Sequence, residues 1–339
     1  MKRKTRQVVA FAGAAIMLVV GLHVPKAASA QDLSSQINTG INSAINQAHT
    51  EWNMFVQEAS GALPAGSSLP GTSAPQQVGA WNPQAPAPVG NGQNGEIQVA
   101  GRSYLIWVPH GYNPARPTPV MVGYSAYQDS PETFRDYSHL RESSVGRNAI
   151  IVYPRAIGAS WEGSPTASTR PGEDIAFVRA MIDDLQRYYN IDRRRIYATG
   201  MSTGGGMAAV SACHMADLFA GVAAVSGAYY APVNQGCQNL PIAFMAIHGT
   251  DDGVTPYQGA IRRGQRVMPV QEMFASYERR NGCRGGVTSL PIRLNATNIS
   301  ARGCMKGVEV IKVHGANHHW WQDRFAADEI WAFLSRHSK

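Results

Sequence analysis

After residue 95, the hydrophobic positions alternate between two kinds of pattern. Short apolar runs of five to eight residues predict strands at 102–109, 119–124, 149–153, 195–199, 221–225, 242–247 and 308–313. Amphipathic spacing predicts helices at 174–189, 204–213, 270–280 and 322–336. Apolar strands that alternate with amphipathic helices are typical of a mostly parallel sheet with helices on both faces. The sequence therefore predicts an α/β domain over residues 96–339.

The first 30 residues have the pattern of an export signal. Lys2, Arg3, Lys4 and Arg6 precede an apolar run at 8–22, and the run is followed by the small residues Ala-Ser-Ala at 28–30. A positive head, an apolar centre and an A-x-A cleavage site are the parts of a secretory signal peptide. The alternative is an uncleaved membrane anchor, but the apolar run is short for a membrane span. We therefore expect a secreted or cell-envelope protein.

Residues 31–60 and 61–95 differ from the rest of the chain. In the first segment the apolar residues are spaced mostly by three, four or seven positions, at Leu33, Ile37, Ile41, Ile45, Trp52 and Phe55. This spacing predicts an amphipathic helical arm, which either packs on the catalytic domain or contacts an envelope or protein partner. Its polar face of Ser, Asn and Gln lacks the cations that anionic lipid attracts. Residues 61–95 are rich in Gly, Pro, Ala, Ser and Gln, which predicts a linker.

Charge and cysteine content narrow the range of functions. Cleavage after Ala30 removes five cations and no acids, which lowers the formal net charge from +7 to +2 and argues against a nucleic-acid partner. No phosphate-binding glycine motif follows a strand, and we expect no cofactor. Four cysteines in an exported chain predict two disulfides with three alternative pairings, of which proximity favours Cys213–Cys237 and Cys283–Cys304.

The strand at 195–199 runs into Gly200-Met201-Ser202-Thr203-Gly204, and a helix is predicted to follow. This is the G-x-S-x-G pattern of a nucleophile elbow, in which a sharp turn presents the serine hydroxyl and the helix N-terminus faces any negative charge that forms there. Ser202 is therefore the candidate nucleophile.

A serine nucleophile needs a base and a carboxylate that orients the base. The strand at 242–247 runs into a loop with Asp251 and Asp252, and the strand at 308–313 runs into a loop with His314, His318 and His319. The order Ser, Asp, His is that of α/β-hydrolases. The residues alone do not choose between the two aspartates or among the three histidines. The same histidines could instead form a metal site, although no zinc-type spacing supports one.

Several motifs together resemble the family of secreted feruloyl-esterase and polyhydroxybutyrate-depolymerase-like serine esterases. Segments 104–112, 173–178 and 189–197 are similar to its opening strand, helix and elbow strand. His248-Gly249-Thr250-x-Asp252 resembles its acid motif, and Gly315-x-x-His318-x-Trp320 its base motif. The resemblance covers residue 96 to the C-terminus.

This resemblance implies an α/β-hydrolase fold, preceded here by the helical arm. It selects Asp252 and His318 as the partners of Ser202, and it implies the same two disulfides, Cys213–Cys237 and Cys283–Cys304. It also implies that the backbone N–H groups of Thr203 and Tyr127 form the oxyanion hole, and that Trp161 and Trp320 line the substrate cleft.

Two differences from the family pattern bear on the site. Ser125-Ala126-Tyr127 stands where the family commonly has His-Gly-Cys, in the turn that supplies one oxyanion donor. The backbone donor survives this change, but Ala126 has less conformational freedom than glycine and Tyr127 is larger than cysteine. The family's His-x-Trp-Pro becomes His-His-Trp-Trp at 318–321, and Asn317 replaces a glycine.

We therefore predict a secreted serine esterase that hydrolyses carboxylic esters through an acyl-enzyme. Polysaccharide-linked feruloyl or acetyl esters, polyesters and envelope lipids all remain open as substrates. The alternatives are an envelope acyltransferase with the same triad and a non-catalytic envelope protein.

Overall fold

In the computed structural model of this protein, residues 86–293, 295–321 and 324–339 are described. The predicted signal peptide (1–30), helical arm (31–60) and residues 61–85 of the predicted linker lie outside them. The remainder of the predicted linker already belongs to the domain. Val89 is buried, and its backbone N–H and carbonyl both bond the Tyr189 hydroxyl, at 3.0 and 2.9 Å. The folded domain thus begins before residue 96, because Val89 packs into its core.

The described residues form twelve strands and six α-helices. The strands are β1 (Asn94–Val99), β2 (Arg102–Trp107), β3 (Thr118–Tyr124), β4 (Ile150–Pro154), β5 (Ile191–Met201), β6 (Gly221–Val225), β7 (Ala243–Gly249), β8 (Ala260–Arg262), β9 (Gln265–Val267), β10 (Val287–Arg293), β11 (Ala296–Ala301) and β12 (Val308–Val313). The helices are α1 (Pro131–Ser138), α2 (Ser144–Asn148), α3 (Glu173–Tyr188), α4 (Thr203–His214), α5 (Val270–Arg280) and α6 (Phe325–Leu334).

Ten of these strands form one sheet in the order β1-β2-β4-β3-β5-β6-β7-β12-β11-β10, and β8 and β9 form a separate hairpin. The six strands from β4 to β12 in this order run parallel, and the strands at both edges pair antiparallel. Because parallel strands end at one edge of the sheet, the loops after β5, β7 and β12 are brought together there.

Side chains on the two faces of the sheet enter two separate cores. Along β3, Val120 and Val122 pack with α3, α4 and α5, whereas Met121 between them packs with α1, α2 and α6. Successive strand residues point to opposite faces, so an unbroken apolar strand can supply both cores at once. The predicted α/β fold with helices on both faces is confirmed.

All seven predicted strands and all four predicted helices are present, with ends that differ by a few residues. The predictions missed α1, α2, β1 and β8 to β11. The outer strand β10 is mostly exposed and contains Pro291, so it shows no apolar run. Short or edge elements bury few side chains, and the hydrophobic pattern therefore does not reveal them.

Both favoured disulfides, Cys213–Cys237 and Cys283–Cys304, are present. The first ties the end of α4 to the loop before β7. In the part of the chain that the structure describes, no helix has both the length and the apolarity that crossing a bilayer requires.

Replacing both Cys213 and Cys237 by serine should lower the free energy of unfolding by about 3 kcal/mol, because the bridge closes a loop of 24 residues in the unfolded chain. Denaturant titration of the variant against the oxidised wild type measures this difference. As a control, adding a reductant should leave the free energy of unfolding unchanged in a variant in which all four cysteines of the two bridges are replaced. An unchanged unfolding midpoint in the double variant would contradict the expectation.

Candidate active site

Ser202 lies at the junction between β5 and α4, at the carboxyl edge of the sheet. Its backbone angles are φ 55° and ψ −117°, a conformation that is rare for a residue with a side chain. The turn is held on both sides: the Ser202 N–H donates to Val225 O at 3.0 Å, and its carbonyl accepts from Ala228 N at 2.8 Å. The sharp turn predicted from the G-x-S-x-G pattern is thus present.

Gly204 allows this turn to sit against the end of β3. A Cβ atom at position 204 would lie 2.2 Å from the carbonyl oxygen of Tyr124 and 2.5 Å from that of Ser125. Both atoms are backbone and cannot rotate away. The second glycine of the motif therefore lets the elbow approach the turn at Ser125 closely.

Asp252 lies in the loop after β7 and is nearly inaccessible to solvent. Its Oδ1 accepts hydrogen bonds from the backbone N–H groups of Val254 and Thr255 at 2.9 and 2.8 Å. The Thr255 hydroxyl lies 3.0 Å from Oδ2. These contacts fix the carboxylate in one orientation and leave Oδ2 directed to the neighbouring loop.

That neighbouring loop carries His318. Strands β7 and β12 pair in register, with Gly249 opposite Val313, so their following loops start level. They also pack closely, since a Cβ at Gly249 would lie 2.1 Å from the carbonyl oxygen of Ala316. His318 Nδ1 lies 2.8 Å from Asp252 Oδ2. A carboxylate acceptor at Nδ1 favours the tautomer with a proton there, which leaves the lone pair of Nε2 as a base.

The surroundings keep Asp252 ionised. Burial alone would raise the pKa of Asp252, but hydrogen bonds from His248 and His318 outweigh it and hold the pKa well below its usual range. His248 is itself buried, and its Nε2 lies 2.7 Å from Thr255 O and 3.2 Å from Asp252 Oδ2. The carboxylate can therefore stabilise a positive charge on His318 at neutral pH.

The other candidates of the two loops form other contacts. Asp251 is exposed and accepts a hydrogen bond from its neighbour Thr250. His314 Nε2 is 2.9 Å from the Thr297 hydroxyl, and the carbonyl of His319 accepts from Ser226 Oγ at 3.0 Å. Within residues 86–293, 295–321 and 324–339, no three His, Cys, Asp or Glu side chains form a group that could hold a metal ion.

A cavity of about 440 Å³ opens at this edge of the sheet. Ser202 and His318 both line it, together with Ala126, Tyr127, Asp129, Tyr137, Met201, Val254, His319 and Trp320. No hydrogen bond joins Ser202 to His318 in the described part of the chain. The two side chains share the cavity, into which an ester carbonyl could enter between them.

The predicted oxyanion donors are the backbone N–H groups of Thr203, which directly follows Ser202, and of Tyr127, which lines the cavity. Neither donates to another backbone or side-chain group among the described residues. Thr203 begins α4, where the helix dipole favours negative charge. Tyr127 is partly exposed, and its ring forms part of the cavity wall.

Trp161 is not in the cavity, which corrects the expectation that it lines the substrate cleft. It is fully buried, its Nε1 donates to Ser125 O at 2.9 Å, and its ring packs edge-on against Tyr124. It is held there because β3 and the loop before α3 pack around it. Trp161 thus supports the turn at 125–127 from beneath.

Trp320 does line the cavity, as one edge of its wall. Its ring is mostly buried against Phe134, and Nε1 donates to Ser138 O at 2.9 Å. These contacts fix the ring, so the wall at this point is rigid.

Sequence reasoning missed several residues of the site. Thr255 and His248 contact Asp252, while Tyr137 and Val254 line the cavity. For this loop a local signal existed, since an aspartate in a turn often bonds the backbone two residues on, as Asp252 does at Val254 N. Tyr137 lies on the missed helix α1 and left no such signal.

The comparisons with known proteins agree with this architecture. Residues 172–278 match the phospholipase/carboxylesterase family profile. The chain is 28% identical over 254 residues to a probable feruloyl esterase C of Aspergillus terreus, covering 71% of this chain and 87% of that one. It is 30% identical over 234 residues to a probable feruloyl esterase C of Aspergillus flavus, covering 66% and 79%. The chain belongs to the feruloyl-esterase-like family of α/β-hydrolases.

The solved structure of acetyl xylan esterase from Aspergillus awamori has the same fold, with a TM-score of 0.52 at 15% identity over 72% of this chain and 99% of that one. The profile match and the feruloyl esterase relatives, rather than this shared fold, show that the protein is a carboxylic ester hydrolase.

Proposed function

We propose that this protein hydrolyses carboxylic esters with Ser202 as nucleophile, His318 as general base and acid, and Asp252 as the group that orients His318. The observation that carries the proposal is the 2.8 Å contact between Asp252 and His318, beside a cavity that Ser202 also lines. The strained backbone at Ser202 is a second support, because strain of this kind is concentrated at functional sites.

In the first half of the reaction, Ser202 Oγ attacks the ester carbonyl and its proton passes to His318 Nε2. The bond to the alcohol then breaks, and the alcohol leaves with the proton from His318. In the second half, water attacks the acyl-enzyme, again giving a proton to His318, and the acid departs as Ser202 recovers its proton. Asp252 stabilises the charged imidazole in both halves.

The oxyanion of each tetrahedral intermediate would be bound by the N–H groups of Thr203 and Tyr127. Both are unoccupied by other acceptors in the described part of the chain, which supports this role. A backbone donor does not depend on the side chain, so the sequence Ser125-Ala126-Tyr127 is compatible with it. Such a donor contributes about 2.7–4 kcal/mol to lowering the barrier.

For substrate and location the proposal is broader. An ester bound to a polysaccharide is consistent with the names of the relatives, and the aromatic wall of Trp320 and Tyr127 could contact an aromatic or sugar ring. Two disulfides support a site of action outside the cytosol.

Labelling with a fluorophosphonate tests the nucleophile directly. Native protein should form one adduct, located on Ser202 by mass spectrometry, and urea-unfolded protein should form none because the base is then absent. Turnover of feruloyl, acetyl and long-chain acyl esters, with and without a polyol acceptor, then separates hydrolysis from acyl transfer. An adduct on another serine, or equal labelling after unfolding, would refute the proposal.

Replacing Trp161 by phenylalanine should lower kcat about ten-fold with little change in KM. The variant loses the hydrogen bond to Ser125 O, worth about 1–1.5 kcal/mol, and with it the fixed position of the Tyr127 N–H. Trp107→Phe is the matched control, because Trp107 is also buried and its Nε1 donates to Gly146 O, outside the cavity. Equal kcat losses in both variants would indicate general destabilisation rather than positioning.

A further inference from the structure

The hairpin of β8 and β9 carries two arginines at its tip. Its two-residue turn consists of Arg263 and Gly264, with φ of 49° and 74°, as a tight hairpin turn requires. The base of the hairpin is tied to the domain, since Val267 bridges Tyr230 and the next residue, Met268, donates to Tyr229 O at 2.7 Å. The tip therefore has a defined position.

Two contacts place this tip beside the cavity. The Arg263 guanidinium lies 5.5 Å from the centre of the Tyr127 ring, which forms one part of the wall. Arg262 Nη2 donates to Gly253 O at 3.3 Å, next to Val254, which forms another part. The hairpin thus brings two positive charges to the rim of the cavity that holds Ser202 and His318.

Neither Arg262 nor Arg263 forms an ion pair with a described carboxylate. Arg266 lies three residues after Arg263 on the same hairpin. It does form an ion pair, because its guanidinium donates to both carboxylate oxygens of Glu272. Among the described residues that line the cavity, Asp129 is the one with a carboxylate, and it accepts a hydrogen bond from the Tyr137 hydroxyl.

The positive charges of the two arginines also act on the neighbouring Tyr230. Burial raises the pKa of Tyr230, and the charges of Arg263 and Arg262 partly offset that rise. Both guanidinium groups are exposed, so they keep their water until a ligand arrives and no desolvation cost opposes their position.

We propose that Arg262 and Arg263 bind an anionic group of the substrate, so that the enzyme prefers esters that carry a carboxylate or a similar anion beside the scissile bond. This inference rests on the proposed function, because it assigns a substrate class to the same cavity. Guanidinium groups bind such anions through paired, charge-assisted hydrogen bonds. Their place at the rim would also steer anionic chains toward the cavity.

The test compares anionic esters with neutral ones of matched shape. 4-Acetoxybenzoate carries a carboxylate on the alcohol side of the ester, and 4-acetoxybenzamide carries a neutral amide at the same position. The mono-4-nitrophenyl ester of glutaric acid and 4-nitrophenyl pentanoate do the same on the acyl side. For each pair, the ratio of kcat/KM for the anionic ester to that for the neutral ester is measured at low and at high salt.

In Arg262→Gln/Arg263→Gln this ratio should fall about ten-fold for at least one pair, with about three-fold from each arginine, as is typical of exposed charge pairs. The kcat/KM for the neutral ester should change less than two-fold. Arg266→Gln, on the same hairpin but with its charge already paired, should leave the ratio unchanged. The preference should also weaken as salt rises.

An unchanged ratio in the double variant, or an equal fall in Arg266→Gln, would overturn the inference while the hydrolase function stood. Titration calorimetry with 4-acetoxybenzoate and 4-acetoxybenzamide on Ser202→Ala protein, with and without the two arginine substitutions, separates the two proposals. It detects arginine-dependent binding of the anion even in protein that turns over no ester. Equal binding of the anion with and without the arginines would refute the inference on that route as well.

Discussion

Ester hydrolysis should fall by roughly six orders of magnitude in Ser202→Ala, to the level that binding and the oxyanion donors alone provide. The variant removes only the hydroxyl oxygen, and alanine also tolerates the turn no worse than serine does. We therefore expect its thermal unfolding to match the wild type within a few degrees. Steady-state kinetics on a fast ester, with active-site titration to exclude contaminating wild type, measures the loss.

Ser211→Ala provides the matched control for this result. Ser211 lies on the same helix, α4, and is also buried, but its hydroxyl donates to Met207 O and bonds the Tyr124 hydroxyl at 2.9 Å. Its loss should reduce the free energy of unfolding by about 1–2 kcal/mol and leave kcat close to the wild type. If Ser202→Ala kept more than a few per cent of activity, another nucleophile would have to be sought.

Replacing Asp252 by asparagine should lower kcat by roughly 10⁴-fold while Ser202 stays in place. The amide can still accept from the N–H groups of Val254 and Thr255 at one atom, but its NH₂ group then faces His318 Nδ1. Two donors cannot share that contact, so the imidazole adopts the other tautomer, with its proton on Nε2. The base then has no lone pair to offer Ser202.

The neighbouring residue supplies the control for the acid. Asp251→Asn changes the same charge one position earlier, at an exposed side chain whose contact is with Thr250. We expect activity within two-fold of the wild type. A large loss of activity in Asp251→Asn together with an active Asp252→Asn would show that Asp251, and not Asp252, orients His318.

The pH dependence of stability should differ between wild type and Asp252→Asn. The pKa of Asp252 is lowered in the folded protein, so its carboxylate stabilises the fold at any pH above the ordinary aspartate pKa of about 4. That contribution is lost as the pH falls below about 4 toward the folded-state pKa. The difference in unfolding free energy between the two proteins should therefore be largest near neutral pH and shrink in acid, as denaturant titrations across pH 2–7 would measure.

Some features of the site could be read from the residues because they depend on local chemistry. The G-x-S-x-G pattern after an apolar strand predicted a strained turn, and Ser202 adopts one. The order Ser, Asp, His at three strand ends predicted a triad, although the residues alone did not choose between the two aspartates or among the three histidines. The choice of Asp252 over Asp251 came from family resemblance, and its physical basis is that only Asp252 is buried between the two loops.

Other features were hidden because they depend on contacts across long stretches of chain. Trp161 was expected in the cleft, yet it packs beneath Ser125, 36 residues earlier in the chain. No local pattern around position 161 predicts which side of the loop faces the core. The hairpin that brings Arg262 and Arg263 to the cavity was missed for a similar reason, as it is short, exposed and without an apolar run.

The sequence by itself determined the fold class, the positions of the main strands and helices, and the candidate nucleophile, because hydrophobic periodicity and turn chemistry act over a few neighbouring residues. Tertiary structure alone decided which tryptophan lines the cavity, that Thr255 and His248 contact Asp252, and that Arg262 and Arg263 lie at the rim. These are contacts between loops, and loop geometry follows from how strands pair and helices pack rather than from any local pattern.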